Sequence, residues 1–131
     1  MKHFVDDLIE GDLSYKIIGL CMKVHSELGK SYKEKYYQKA LEISFKKNSI
    51  NFVREIKFDL GFEDEKIGMS YLDFLVESKI VVELKVKPFI NKVDIKQVLS
   101  YLKTTDIKLG LIINFGKDSL EYKRILNSNI K

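Results

Sequence analysis

The sequence predicts an α/β fold in which one domain contains a mixed β-sheet flanked by helices. Three observations support this prediction. Apolar residues recur with helical spacing on both sides of a central block, alternate with polar residues inside it, and form one continuous run at residues 109–115. Such a run is typical of a strand that is covered on both faces. With 131 residues, the chain can bury a hydrophobic core, and we expect a single domain over residues 1–131.

The first part of the chain predicts a lead-in followed by two helices. Residues 1–11 are expected to form the lead-in. The first helix runs to about Leu28 with one apolar stripe, and Gly29 is a suitable residue to end it. A second helix is expected over residues 32–47, and its predicted inner side consists of Tyr37, Ala40, Leu41, Ser44 and Phe45.

Alternating apolar and polar residues predict three consecutive strands that pair as a meander. The first covers residues 51–60, and a charged turn at 63–66 leads to the second. The second and third lie within residues 69–87 and are separated by a polar break at 77–79. A third helix is expected over residues 93–103. Because this helix crosses over to the apolar run, we expect that strand to lie parallel to a neighbour.

A short final helix is expected to begin at Asp118. The segment from Asp118 to Glu121 has the Asp-x-x-Glu form that is typical of a capped helix start. The complete order is therefore α-α-β-β-β-α-β-α.

Composition narrows the class of protein. The single cysteine, Cys21, leaves no internal disulfide and no cysteine cluster for zinc. No apolar run reaches the roughly 18 residues of a membrane span, and the acidic, broken N-terminus is unlike a signal peptide. We therefore expect no membrane association and cytoplasmic residence. The net charge of +4 permits nucleic acid as a partner without requiring it.

Three charged residues interrupt the apolar strands of residues 69–87. Because side chains alternate along a strand, Glu83 and Lys85 lie on one face, roughly 6.6 Å apart, and an antiparallel partner can place Asp73 there too. Burying unpaired charge is costly. A divalent metal ion held by both carboxylates, with the lysine beside it, would satisfy all three charges. The alternative is a surface ion pair between Glu83 and Lys85.

The spacing of Asp73 and Glu83-Leu84-Lys85 resembles the D…ExK core of the PD-(D/E)XK nuclease superfamily. The α-β-β-β-α-β portion of the predicted order resembles the core fold of that group. Further segments in the same order are 14–19, 24–29, Glu34 with Tyr37, 97–102 and 110–115. Together they resemble a small bacterial family of this superfamily that is named for its GxxExxY motif. Two departures are Ser31 in place of the first motif glycine and Leu72 in place of the proline before the aspartate.

The resemblance implies a nuclease that uses Mg²⁺ or Mn²⁺. Asp73, Glu83 and the backbone carbonyl of Leu84 would bind the metal, and Lys85 would orient or help to deprotonate the attacking water and neutralise charge on the phosphate. The implied partner is nucleic acid, with DNA expected, and a homodimer is a candidate assembly.

The resemblance also implies a role for residues on two flanking helices. Glu34 would complete the site from the first core helix, although a solvated acid among lysines is the alternative. Gln97 would contact water or phosphate from the third helix, or be merely exposed. Tyr37 is assigned equally to the site and to core packing, whereas His25 is expected to be structural.

Two other functional classes stay open at the level of sequence. One is a non-catalytic nucleic-acid-binding module that retains the nuclease fold, and the other is a regulatory or assembly subunit that acts through protein contacts. The intact set of Asp73, Glu83 and Lys85 favours catalysis over the binding module, whereas a large apolar surface patch would favour the protein-contact class.

Overall fold

The computed structural model describes residues 8–128 as a mixed five-stranded sheet with helices on both faces, and the predicted fold class is confirmed. Residues 1–7 of the lead-in predicted over residues 1–11 lie outside the described residues. Within 8–128, no helix is both long and apolar enough to cross a membrane. The elements are α1 (Gly11–Leu28), α2 (Glu34–Lys47), β1 (Phe52–Phe62), β2 (Glu65–Val76), β3 (Ile80–Lys85), α3 (Lys92–Lys103), β4 (Leu109–Asn114) and β5 (Glu121–Leu126).

The sheet has the order β1-β2-β3-β4-β5, and only β3 and β4 are parallel. This parallel pair is the one that α3 connects, as the crossover predicted. Helices α1 and α2 cover one face through an apolar cluster that includes Tyr37, Leu41 and Phe74. Helix α3 covers the other face through a second cluster that includes Leu72 and Val98. Strand β4 lies between the clusters, and every one of its residues is buried, as the apolar run predicted.

Gly110 lies where β4 packs against α3. An added Cβ would lie 2.4 Å from Val98 Cγ1 and 3.2 Å from Val81 Cγ1. We expect Gly110→Ala to lower the free energy of unfolding by roughly 1–3 kcal/mol, because overpacking forces both valines to move. Gly19→Ala is the matched control. Gly19 is an exposed position on α1, and nothing lies within 4 Å of its added Cβ. Urea unfolding would measure both variants, and equal midpoints would contradict the expectation.

The final helix predicted from Asp118 is wrong, because residues Glu121–Leu126 form strand β5. This strand pairs antiparallel with β4 along its whole length and covers an edge that would otherwise be open. Asp118 does not begin a helix; its carboxylate pairs with Lys30 at 2.6 Å. Pairing between distant segments therefore overrides a local capping pattern.

Strand β2 separates from β3 at Asp73. Only the last part of β2, from Phe74 to Val76, pairs with β3. The pairing of β1 with β2 skips Asp73 and Glu55, and Glu55 has a left-handed backbone with φ of 56°. Phe74 packs in the cluster below α1 and α2, whereas Leu72 packs in the cluster below α3. The strict alternation predicted for β2 therefore breaks at Asp73, where the hairpin rotates and leaves the sheet.

Candidate active site

The carboxylates of Asp73 and Glu83 meet in the gap where β2 leaves β3. The Leu84 N–H donates to Asp73 Oδ2 at 2.7 Å, and the Asp73 N–H donates to Glu83 Oε1 at 3.0 Å. If β2 and β3 continued to pair, backbone carbonyls would accept these hydrogen bonds. Here each carboxylate takes the place of such a carbonyl. The structure brings both predicted acids together, and the local fold fixes their positions.

One buried acid and one half-buried acid, Glu83 and Asp73, lie near the ammonium group of Lys85. Glu83 is only 6% exposed. Burial and the neighbouring Asp73 raise the pKa of Glu83 to about 8, although Lys85 acts in the opposite direction. Burial also raises the pKa of Asp73, against the lowering effect of the hydrogen bond from Leu84. An additional positive charge would therefore stabilise the ionised pair.

The ammonium of Lys85 lies between two carboxylates. Its Nζ is 3.4 Å from Glu83 Oε2 and 3.9 Å from Asp94 Oδ1. Because Glu83 is buried, this is not the surface ion pair that the sequence left as an alternative. Asp94 also accepts from Lys87 Nζ at 2.8 and 3.0 Å.

Asp94 was missed by the sequence reasoning. It lies in the first turn of α3, where it forms a capping box with Asn91. Burial raises the pKa of Asp94, but hydrogen bonds from the Asn91 backbone and from Lys87 outweigh it and lower the pKa overall. The Asn-x-x-Asp spacing signals a helix start, but no local pattern indicates that this helix start lies beside Lys85.

Helix α2 reaches the site through Glu34 and Gln38. Gln38 Nε2 donates to Asp73 Oδ1 at 2.9 Å and to Glu34 Oε2 at 3.2 Å. Burial and the nearby Asp73 raise the pKa of Glu34, whereas Lys85 lowers it. Glu34 therefore lies within electrostatic reach of both groups. Gln38 was not predicted, although its i, i+4 spacing from Glu34 places it on the same helical face.

Arg54 supports the site from β1. Its Nε donates to the Asp73 carbonyl at 3.2 Å, and its guanidinium lies 4.7 Å from the centroid of the Phe74 ring. A 2.7 Å ion pair with Glu42 ties it to α2, and this hydrogen bond is the main cause that lowers the pKa of Glu42 to about 2. Arg54 therefore fixes β2 against α2 at the residue where the strands separate.

Three other residues singled out from the sequence lie outside the carboxylate pair. Gln97 Nε2 donates to Ser70 Oγ at 2.9 Å and more weakly to the Tyr71 carbonyl at 3.4 Å, so it contacts β2 beside Asp73. Tyr37 is fully buried and stacks on Phe115 at 4.5 Å between ring centroids, which is core packing. His25 Nε2 lies 2.8 Å from the Lys117 carbonyl, in a structural contact.

The donors at the strand gap suit a hard divalent cation. Each carboxylate oxygen has two lone pairs, so the hydrogen bonds above leave acceptor capacity. The Leu84 N–H faces β2, whereas the Lys85 carbonyl accepts from Phe115 N on the opposite side. Since the N–H and C=O of one strand residue point the same way, the Leu84 carbonyl is directed into the gap.

A cation bound there would be completed by water. Among the described His, Cys, Asp and Glu residues, no group of three or more is arranged to hold a metal ion. Mg²⁺ commonly takes only one or two carboxylates and keeps several waters. The Asp73–Glu83 pair with the Leu84 carbonyl therefore fits this ion better than it fits zinc, which prefers four closely placed ligands.

Comparison with known proteins gives one match. A family model described as the PD-(D/E)XK nuclease superfamily matches residues 11–125. No curated protein and no solved structure gives a significant match. The matched range begins with α1 and ends in β5, so it includes the strand gap and its flanking helices.

Proposed function

We propose that this chain, which belongs to the PD-(D/E)XK nuclease superfamily, hydrolyses phosphodiester bonds of nucleic acid with the help of Mg²⁺ or Mn²⁺. The observation that carries the proposal is the close pair of half-buried Asp73 and buried Glu83 beside the ammonium of Lys85. Two acids placed this close together, one of them buried, are costly for folding alone. A bound cation and a phosphate ester would use all three groups.

Each group has a distinct task in this proposal. Asp73, Glu83 and the Leu84 carbonyl hold the metal ion. When bound, the ion supplies Lewis-acid stabilisation of the phosphate and a more acidic water. Lys85 donates to the attacking water or to a phosphate oxygen, where its charge opposes the negative charge that develops. Glu34 acts as an outer acid, since Gln38 connects it to Asp73.

We also propose that the chain belongs to the GxxExxY family within the superfamily. The two side chains of the motif have separate positions that suit separate roles. Glu34 faces the carboxylates, whereas Tyr37 packs on Phe115 and donates a short hydrogen bond to the Gly29 carbonyl. DNA as the substrate, a contact of Gln97 with water or phosphate, and a homodimer stay predictions.

The proposed activity is tested by incubation with single- and double-stranded DNA and RNA, in Mg²⁺ or Mn²⁺ and in EDTA. We expect cleavage in the presence of metal and none in EDTA. Glu83→Gln keeps the shape of the side chain and removes its charge, and it should eliminate cleavage. Glu27→Gln, an exposed change on α1, is the control that should cleave normally. Cleavage by Glu83→Gln at the wild-type rate would contradict the assignment.

Asp94→Asn is expected to lower both turnover and metal affinity by roughly tenfold. Without the Asp94 charge, Lys85 has only Glu83 as a close anionic partner, so its ammonium would compete with the cation for that carboxylate. Lys85 and Asp94 form an ion pair at 3.9 Å, and two unit charges about 4 Å apart interact by roughly 1–4 kcal/mol between bulk water and a protein surface, which is consistent with an effect of this size. Manganese calorimetry and kcat measure the two effects. In a Lys85→Ala background, Asp94→Asn should change metal affinity little; an equal loss there would contradict this role.

A further inference from the structure

The outer half of the β1–β2 hairpin extends beyond the rest of the sheet. We call residues 56–62 and 65–72 the arm; β3 pairs only with the part of β2 that follows it. One face of the arm packs against α3, where Phe58 is buried and contacts the Tyr101 ring at 5.5 Å between centroids. Ser70, directly opposite Phe58 on β2, lies on this same face and binds Gln97.

The other face of the arm is exposed and carries both apolar and charged side chains. Tyr71 is 53% exposed and Met69 44%. Lys57 is also exposed and lies directly across the strand pair from Tyr71. Directly opposed residues share a face, so Tyr71 and Lys57 present an aromatic ring and a positive charge side by side.

This exposed face lies on the side of the sheet from which α2 approaches the carboxylates. Since Ser70 faces α3, Tyr71 faces the opposite side, which is the side that α1 and α2 cover elsewhere. Helix α2 runs antiparallel to β1: Phe45 contacts Phe52, and Gln38 contacts both Arg54 and Asp73. The first turn of α2 therefore points towards the arm.

The backbone of Tyr71 is close to that of Asp73. It precedes Asp73 by two residues on one strand, a separation of roughly 6.6 Å along the backbone. Neighbouring phosphates of a nucleic-acid strand are a similar distance apart. A strand whose phosphate lies at the carboxylates would thus place an adjacent nucleotide over Tyr71.

We propose that the Tyr71–Lys57 face of the arm binds unpaired nucleotides, which makes single-stranded nucleic acid the substrate class of this site. The proposal rests on the proposed nuclease function for the position of the cleaved phosphate. An exposed aromatic ring stacks on any base whose face is free, and a lysine beside it neutralises backbone phosphate. Bases inside a duplex are stacked on one another and offer no free face to Tyr71. The arm and the carboxylates adjoin at Asp73, where β2 separates from β3.

The chain offers a matched control on the opposite edge of the sheet. Tyr122 is 43% exposed on β5 and is followed by exposed Lys123. Tyr122→Ala and Lys123→Gln therefore remove the same groups from an edge strand far from the arm in strand order. Thermal melting of all variants checks that each is folded.

The test is binding of fluorescent oligonucleotides by the full chain in EDTA at low salt, with no cleavage possible. Single-stranded DNA, single-stranded RNA and duplex DNA are compared. The single strand that binds more tightly shows whether DNA or RNA is the preferred ligand. Tyr71→Ala should weaken single-strand binding about tenfold, Tyr71→Phe should restore it, and Tyr122→Ala should not change it. An oligonucleotide with abasic sites should bind wild type and Tyr71→Ala equally, whereas Lys57→Gln should still weaken it.

Three results would overturn the proposal. The first is equal single-strand affinity of wild type and Tyr71→Ala, and the second is tighter binding of duplex than of single strand. The third is that Tyr71→Ala converts a dimer to a monomer in light scattering without changing oligonucleotide binding, which would make the arm a contact between copies. If the chain binds single strands through Tyr71 but never cleaves with metal, the nuclease function fails and the binding surface stands. If the chain cleaves with metal and Tyr71→Ala has no effect on binding, the nuclease function stands and the binding surface fails.

Discussion

Asp73→Asn is expected to reduce nuclease activity by about a thousandfold and to weaken metal binding while the fold persists. The change keeps an oxygen for the Leu84 N–H but removes the charge that holds the cation. A metal ion contributes several kcal/mol to the transition state, and about 1.36 kcal/mol corresponds to a factor of ten. Initial rates on the best-cleaved substrate and manganese calorimetry would measure the two losses.

We expect Asp73→Asn to lose activity without losing thermal stability. Burial and the neighbouring Asp73 raise the pKa of Glu83, so charge on both acids is unfavourable without metal, and removing the Asp73 charge should leave the thermal midpoint unchanged or higher. Asp106→Asn, an exposed loop change, is the control for handling and purity. If Asp73→Asn lost activity only because it unfolded, Asp73 would be a structural residue and the metal role would be wrong.

Lys85→Ala is expected to reduce kcat by at least about a hundredfold while the metal ion binds as well as in the wild type or better. The ammonium lies 3.4 Å from Glu83 Oε2, where it competes with a cation for that carboxylate. Its removal therefore favours the cation and deprives the attacking water and the phosphate of the lysine ammonium. Loss of one preorganised donor typically costs two to three orders of magnitude, roughly, in kcat.

The two variants are distinguished by metal affinity. Asp73→Asn lowers both affinity and turnover, whereas Lys85→Ala lowers turnover alone. Single-turnover cleavage at saturating Mn²⁺ separates the chemical step from metal binding. If Lys85→Ala lost metal binding together with activity, or kept normal turnover, the proposed division of roles between carboxylates and lysine would be contradicted.

Residues on adjoining strands were predictable from sequence because alternation has a fixed period. The spacing of Glu83 and Lys85 placed them on one face of one strand, and the hairpin brought Asp73 to the same gap. Glu34 followed from the resemblance to a known motif. The predictions for the two strands needed only local geometry and the order of the elements.

Contacts between distant elements were not predictable in the same way. Gln38, Arg54 and Asp94 come from α2, β1 and α3, and each reaches the site only because the fold packs its element against a strand. Strand β5 was mistaken for a helix because residues 118–121, which lead into it, resemble a cap, while its pairing with β4 depends on the whole sheet. The rotation at Asp73, opposite the left-handed Glu55, likewise has no signature in apolar alternation.

Manganese titration calorimetry tests most directly whether Asp73 and Glu83 together bind a divalent cation. Because burial and Asp73 raise the pKa of Glu83 to about 8, we expect a cation that binds at pH 7 to displace a proton from this carboxyl. We expect one site in the wild type, an enthalpy that varies with the ionisation enthalpy of the buffer, and an affinity that rises with pH until about pH 8. The absence of a binding heat in the wild type, or the same site retained in Asp73→Asn, would contradict it.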